Sequence, residues 1–231
     1  MNTSLGKILR VVAIILVTIT AAMNLLGGIG TTCAAFFTKN YPPYWVLIKP
    51  VDYRWLYQTL VVTTVAIGIA GIAVMVALLR GRKHAFQNTV IVLVIGTVLS
   101  AIQYFTSLAV IGKAAPANVK FYTNIFTLVV FLILAFPAIR AQVDFSKGGK
   151  GGEPLMGGGA AAMLTGVLTL STPMWVGASH LYMGRNWVDL LAWPIYITGT
   201  FLTLGGLALL ARGVWIAQQD QEIAGVKVQA L

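Results

Sequence analysis

Six apolar runs, each of roughly 19 to 24 residues, cover more than half of this chain, and each matches the ~20 residues a helix needs to cross about 30 Å of hydrocarbon. The runs are residues 11–29, 56–79, 89–111, 121–139, 155–176 and 190–210. They are continuous rather than alternating, and a barrel strand needs only about 9–11 residues of alternating polarity. The expected fold class is therefore all-α, a polytopic transmembrane helical bundle with six spans. Composition agrees: a chain that is 58% hydrophobic and 10% charged, with mean hydropathy +0.85, lacks the polar surface a water-soluble fold needs.

Orientation follows from lysine and arginine in the short loops. A cytoplasmic N-terminus places Lys7, Arg10, Arg80, Arg82, Lys83, Arg140, Lys147, Lys150, Arg212 and Lys227 inside, and leaves Lys39, Lys49, Arg54, Lys113, Lys120 and Arg185 outside. The bias is strongest at the tight Arg80-Gly81-Arg82-Lys83 turn, so both termini are expected in the cytoplasm of a bacterial-type plasma membrane. Lys7 and Arg10 ahead of an apolar run also describe a secretory signal peptide, whose cleavage near Ala21 or Ala22 would leave five spans. The length of the run and the residues before Cys33 favour a retained helix.

The net charge of +10 is spread in ones and twos over membrane-flanking loops, where basic residues anchor helix ends to anionic headgroups. No nucleic-acid partner is implied. A single cysteine excludes an internal disulfide or a CxxC redox pair, and Cys33 reads as a small apolar side chain. His84 and His180 fall on opposite faces of this topology, too far apart to share a haem or metal within the chain. No metal and no cofactor is expected, and no catalytic residue can be named.

The glycine-rich connection at 143–154 is the clearest boundary. It divides a four-helix module, 1–142, from a two-helix module with a short polar tail, 155–231. Lysines among its glycines invite a phosphate-cradle reading, but GxxxxGK[ST] is absent and no strand precedes it, so it reads as a flexible linker. Small residues recur at four-residue spacing, as at Ala66 and Ala70, Gly96 and Ser100, or Ala162 and Gly166, which lets helix backbones approach. Gly27, Gly28 and Gly30 are expected to terminate or loosen the first helix.

Two groups of residues carry what functional signal there is. Within the spans the polar residues are uncharged, chiefly Asn24, Gln58, Gln103 and Asn124, which argues against an ion pump and reads first as interhelical hydrogen bonding. On the outer face, residues 31–55 combine Phe36, Phe37, Tyr44, Trp45, Tyr53 and Trp55 with Pro42, Pro43 and Pro50. Such a segment lies along the membrane surface or folds over the bundle mouth. With Lys49, Asp52, Arg54, His180, Arg185 and Asp189 it forms a candidate cationic, aromatic-lined mouth for an anionic headgroup, a quinone-like ring or a partner subunit. Two functions fit these residues: a noncatalytic accessory subunit or lipid-binding bundle, or a small-solute permease in which Asn24, Gln103 or Asn124 converge on a hydrated cavity. Membrane lipids, other membrane subunits or further copies of the chain are the expected partners.

Overall fold

A computed structural model describes residues 4–40, 42–48, 51–114, 117–143, 145, 152–176, 181–182, 185–190 and 192–229. Lys49, His180 and most of the glycine-rich connection lie outside the described residues. The described chain is almost entirely helical: α1 (Ser4–Phe36), 3-10 turns at Thr38–Asn40 and Pro42–Ile48, α2 (Arg54–Leu79), α3 (Ala85–Ile111), α4 (Ala117–Ala135), the single turn α5 (Pro137–Arg140), α6 (Glu153–Val176), α7 (Trp187–Leu190) and α8 (Ala192–Gln229). A two-residue hairpin pairs Leu181 with Asn186 and Tyr182 with Arg185 between α6 and α7. Among the described residues, six helices are long and apolar enough to cross a membrane: Ile8–Phe36, Arg54–Leu79, Ala85–Ile111, Ala117–Ala135, Glu153–Met174 and Ala192–Gln219. The protein is a multi-pass helical membrane protein.

The chain divides into two compact units, Met1–Leu78 with Arg82–Ser146, and Leu79–Gly81 with Lys147–Leu231. In the first unit α3 and α4 each turn one stripe inward at alternating three- and four-residue steps. On α3 it is Phe86, Thr89, Leu93, Gly96, Ser100, Gln103 and Ser107; on α4 it is Ala117, Lys120, Asn124, Thr127, Phe131 and Leu134. This is the spacing that keeps a seam facing its neighbours in a bundle. The opposite faces carry exposed Ile, Val, Leu and Phe such as Ile91, Phe105, Phe126 and Leu132, as a lipid-facing surface requires.

Two local features differ from the sequence-based expectation. Gly27, Gly28 and Gly30 do not end α1, which continues to Phe36. Gly28 abuts Val65 so tightly that a Cβ would stand 2.7 Å from its Cγ2, and Gly68 and Gly71 of α2 face Leu25 and Ala21 in the same way. These glycines are packing surface, and close helix approach outweighs their low helix propensity. The fourth helix begins at Ala117 and stops at Ala135, four residues earlier at each end than the apolar run. Phe136 takes the extended conformation (φ −58°, ψ 133°) that a following proline imposes, and Pro137 opens α5.

The ends of this unit are closed differently. At one, the 3-10 turn Pro42–Ile48 packs on the bundle: Leu47 is fully buried in a cluster with Ala34, Ala35, Tyr57 and Val61, and Tyr44, Tyr53, Val110 and Ile111 pack against it. At the other, Phe86, Phe131 and Phe145 stack with centroids 5.3–6.3 Å apart, and the Arg140 guanidinium lies 3.8 Å above the Phe86 ring. Positive φ at Gly81 (64°) and Gly112 (75°) permits the tight turns after α2 and α3, where a side chain would be strained.

The second unit is a hairpin of α6 and α8 built on glycines seven residues apart. Gly152 meets Gly213, Gly159 meets Gly206 and Gly166 meets Gly199, so that one helix's missing side chains admit the other's backbone. A Cβ at Gly159 or at Gly166 would lie 2.7 Å from the carbonyl oxygen of the facing glycine. Pro173 is inside α6, where the hydroxyls of Thr169 and Thr172 donate to Thr165 and Leu168 carbonyls.

Candidate functional site: a buried lysine seam and an aromatic-end pocket

The stripe on α4 carries a lysine into the interior. Lys120 stands on the same face as Asn124 and Thr127, and it is 1% exposed. The expectation that it belongs to an outer loop is corrected, because α4 starts at Ala117 rather than after Lys120. Its stem lies along Gly27, where a Cβ would come within 3.2 Å of Cδ. Its Nζ donates to Gln103 Oε1 on α3 and, at 3.2 Å, to Thr64 Oγ1 on α2. Gln103 is eight residues from the end of α3, so its Cα is about 12 Å along the helix from that end.

The surroundings of Lys120 are ordered by a directional chain of hydrogen bonds. Thr31 Oγ1 donates to the Gly27 carbonyl at 2.6 Å, and Gln103 Nε2 donates to Thr31 Oγ1 at 2.9 Å, which turns Gln103 Oε1 towards the ammonium. One turn further along α4, Asn124 Nδ2 donates to the Lys120 carbonyl at 2.8 Å. Asn24 and Asn124 exchange amide hydrogen bonds at 2.9 and 3.2 Å, and Thr20 and Thr127 hydroxyls meet at 2.7 Å in the next layer. Beside the Asn24–Asn124 pair a narrow apolar-walled cavity, bordered by Val17, Ala21, Ile67, Val74, Val92 and Leu93, is about the size of one water molecule. All of the hydrogen-bonded side chains of the seam are buried, and α1 to α4 contain no aspartate or glutamate.

The expected intramembrane residues Asn24, Gln103 and Asn124 are thus brought into one seam, with Lys120, Thr31 and Thr64 as partners that sequence reading missed. Their shared three- and four-residue register was the available signal. Gln58 is separate: its Nε2 reaches the Ala35 carbonyl at 3.2 Å near the aromatic end.

At that end a second feature lies between α1 and α2. Phe36, Phe37, Thr38, Lys39, Asn40, Arg54 and Gln58 line an open pocket of about 290 Å³. Trp45 is exposed and its indole N–H donates to the Lys39 carbonyl at 2.9 Å, which ties the second 3-10 turn to the first. Tyr44 is turned into the capping cluster. Asp52 accepts Arg54 Nε at 2.9 Å, Arg54 Nη2 at 2.5 Å and the Arg54 backbone N–H at 2.9 Å, so it both pairs with Arg54 and caps α2. Those bonds from Arg54 hold the exposed Asp52 carboxyl down to about 2.

Of the remaining expected mouth residues, Arg185 is in the short hairpin and Asp189 is exposed on α7, both in the second unit. Asn186 Oδ1 caps α7 by accepting the Val188 N–H at 3.0 Å. No protein-family model matches the chain, and no curated protein or solved structure matches it.

Proposed function

We propose that this multi-pass protein is a noncatalytic lipid-binding bundle of a bacterial-type plasma membrane, holding an anionic phospholipid headgroup at the aromatic end of its four-helix unit. Both termini lie in the cytoplasm on this reading, in keeping with the lysine and arginine bias, and the pocket faces outward. The observation that carries it is the pocket of about 290 Å³ in which Lys39 and Arg54 stand beside Phe36 and Phe37. Lysine and arginine supply charge-assisted donors to a phosphodiester, while exposed Phe36, Phe37, Trp45 and Trp55 lie against glycerol and acyl carbons. Asp52 offsets the charge of Arg54 and leaves Lys39 as the net positive group of the pocket.

Tryptophan quenching by brominated lipids in nanodiscs tests this. Brominated phosphatidylglycerol should quench the wild-type protein more than brominated phosphatidylcholine does, and Lys39→Glu should remove the difference. Equal quenching by the two lipids in the wild type refutes the reading.

The permease reading is favoured by a different observation, the convergence of Asn24, Gln103 and Asn124 on one seam. Solute flux into proteoliposomes that disappears in Asn124→Leu at undiminished protein abundance would support it, whereas parallel loss of abundance supports packing.

A further inference from the structure

Resting on the headgroup reading above, we infer that the aromatic-end pocket selects a polyol phosphodiester, the headgroup of phosphatidylglycerol, and that Gln58 recognises its hydroxyl. Gln58 stands one turn after Arg54 on α2 and lines the same pocket. Its Nε2 donates to the Ala35 carbonyl at 3.2 Å, one of the carbonyls that the end of α1 leaves without an intrahelical partner. With Nε2 committed there, Oε1 is left as an acceptor. Among the described residues no group donates to it, and it is not sealed inside the protein.

The polar groups of the pocket therefore ask for two different things. Lys39 and Arg54 carry donors only, and they suit the oxygens of a phosphate. Thr38 spends its hydroxyl proton on the Ala34 carbonyl at 2.5 Å. Gln58 Oε1 needs an atom that brings its own proton. A phosphodiester carries none at neutral pH, so the donor belongs to the group esterified to it. An alcohol and an ammonium both qualify, and charge decides between them. Asp52 offsets Arg54, so Lys39 leaves the pocket with one net positive charge, which matches a headgroup of single negative charge. An ethanolamine or serine headgroup would set a further cation beside Lys39 and Arg54, whereas a glycerol hydroxyl brings the proton without the charge. Asn40, also on the lining, has an amide that can donate to or accept from the second glycerol hydroxyl. A volume of about 290 Å³ is at the small end of ligand sites, the size for a headgroup rather than a whole lipid.

Phosphatidylmethanol isolates the hydroxyl, because it keeps the phosphodiester and its single negative charge but has no donor. Tryptophan quenching in nanodiscs is titrated with brominated phosphatidylglycerol, phosphatidylmethanol and phosphatidylcholine. The wild type should prefer phosphatidylglycerol to phosphatidylmethanol by about three- to tenfold in apparent affinity, the scale of one hydrogen bond, and should prefer both to phosphatidylcholine. Gln58→Met keeps a side chain of similar length without the acceptor. It should bring phosphatidylglycerol down to the level of phosphatidylmethanol while both stay above phosphatidylcholine. If the two anionic lipids quench the wild type equally but more than phosphatidylcholine, the hydroxyl assignment is overturned and the anionic-headgroup reading stands; equal quenching by all three overturns both. That comparison uses the wild type alone and needs no variant to fold. A folded Gln58→Met protein with the full preference for phosphatidylglycerol overturns the role of Gln58. Glycerol phosphate added to the buffer should leave the quenching unchanged, and relief of quenching would overturn the lipid assignment in favour of a soluble ester.

Discussion

Substituting alanine at two adjacent glycines of α8 should have opposite effects. A Cβ at Gly206 would stand 2.6 Å from the Gly159 carbonyl oxygen and 2.8 Å from Met163 Cα, whereas one at Gly205 would meet nothing within 4 Å. Ordinary Cβ contacts begin near 3.4 Å, so Gly206→Ala is about 0.8 Å too close to backbone that cannot rotate away. Overpacking of this kind costs about 1–3 kcal/mol, and the better helix propensity of alanine returns up to about 1 kcal/mol. Gly206→Ala should then destabilise the α6–α8 hairpin by about 1–2 kcal/mol, while Gly205→Ala gains up to about 1 kcal/mol from propensity alone. Equilibrium unfolding in mixed micelles, with tryptophan fluorescence as readout, compares two proteins of identical composition. Stability changes of the same sign and size at both positions would show that glycine contact does not hold α6 to α8.

Three further outcomes follow from the first unit. Gln103→Leu removes the acceptor of Lys120 and the donor to Thr31, and should cost about 3–5 kcal/mol in the same unfolding assay; adding Lys120→Met should restore part of that loss, and strict additivity would contradict the coupling. Because the folded carboxyl of Asp52 is depressed to about 2 from an ordinary 3.8, the Asp52–Arg54 contribution is present above pH 3.8 and is lost as pH falls through about 2. Infrared titration of the carboxylate band, with Asp52→Asn as reference, should place the transition near pH 2, and a midpoint near 4 would contradict the pairing. Phe86→Leu removes the ring 3.8 Å below Arg140 and should lower stability by about 1–3 kcal/mol; Arg140→Met should lose less in that background than in the wild type if the cation–π contact is energetic.

Much of this architecture was legible because hydrophobic length is a strong signal. Six spans were readable, four of them to within four residues at each end, whereas the first runs on to Phe36 and the last to Gln219, seven and nine residues past the apolar runs. The prolines and aromatics of residues 31–55 signalled a break in the long helices, which the described residues confine to the stretch between Phe36 and Arg54. What anchors that segment was not readable, since Leu47 is one leucine among many until Tyr44, Tyr53 and Tyr57 surround it. Lys120 was misplaced for a physical reason: hydropathy ranks a lysine at the edge of an apolar run as interfacial, whereas its seven-residue relation to Thr127 and four-residue relation to Asn124 put it in phase with the buried face. Gly27 and Gly28 were misread because helix propensity is a weak prior where tight packing decides. The seven-residue glycine spacing of α6 and α8 stands in the sequence, but the pairing of Gly152 with Gly213 exists only once the hairpin forms.

Intact-complex mass spectrometry from a mild detergent, with lipids retained, tests the proposed function most directly when wild type and Lys39→Glu are compared. The account predicts a reproducible adduct of the mass of an anionic phospholipid on the wild type, reduced in the variant while total protein is unchanged. A wild type that carries no anionic lipid, or an adduct that persists undiminished in Lys39→Glu, would contradict it.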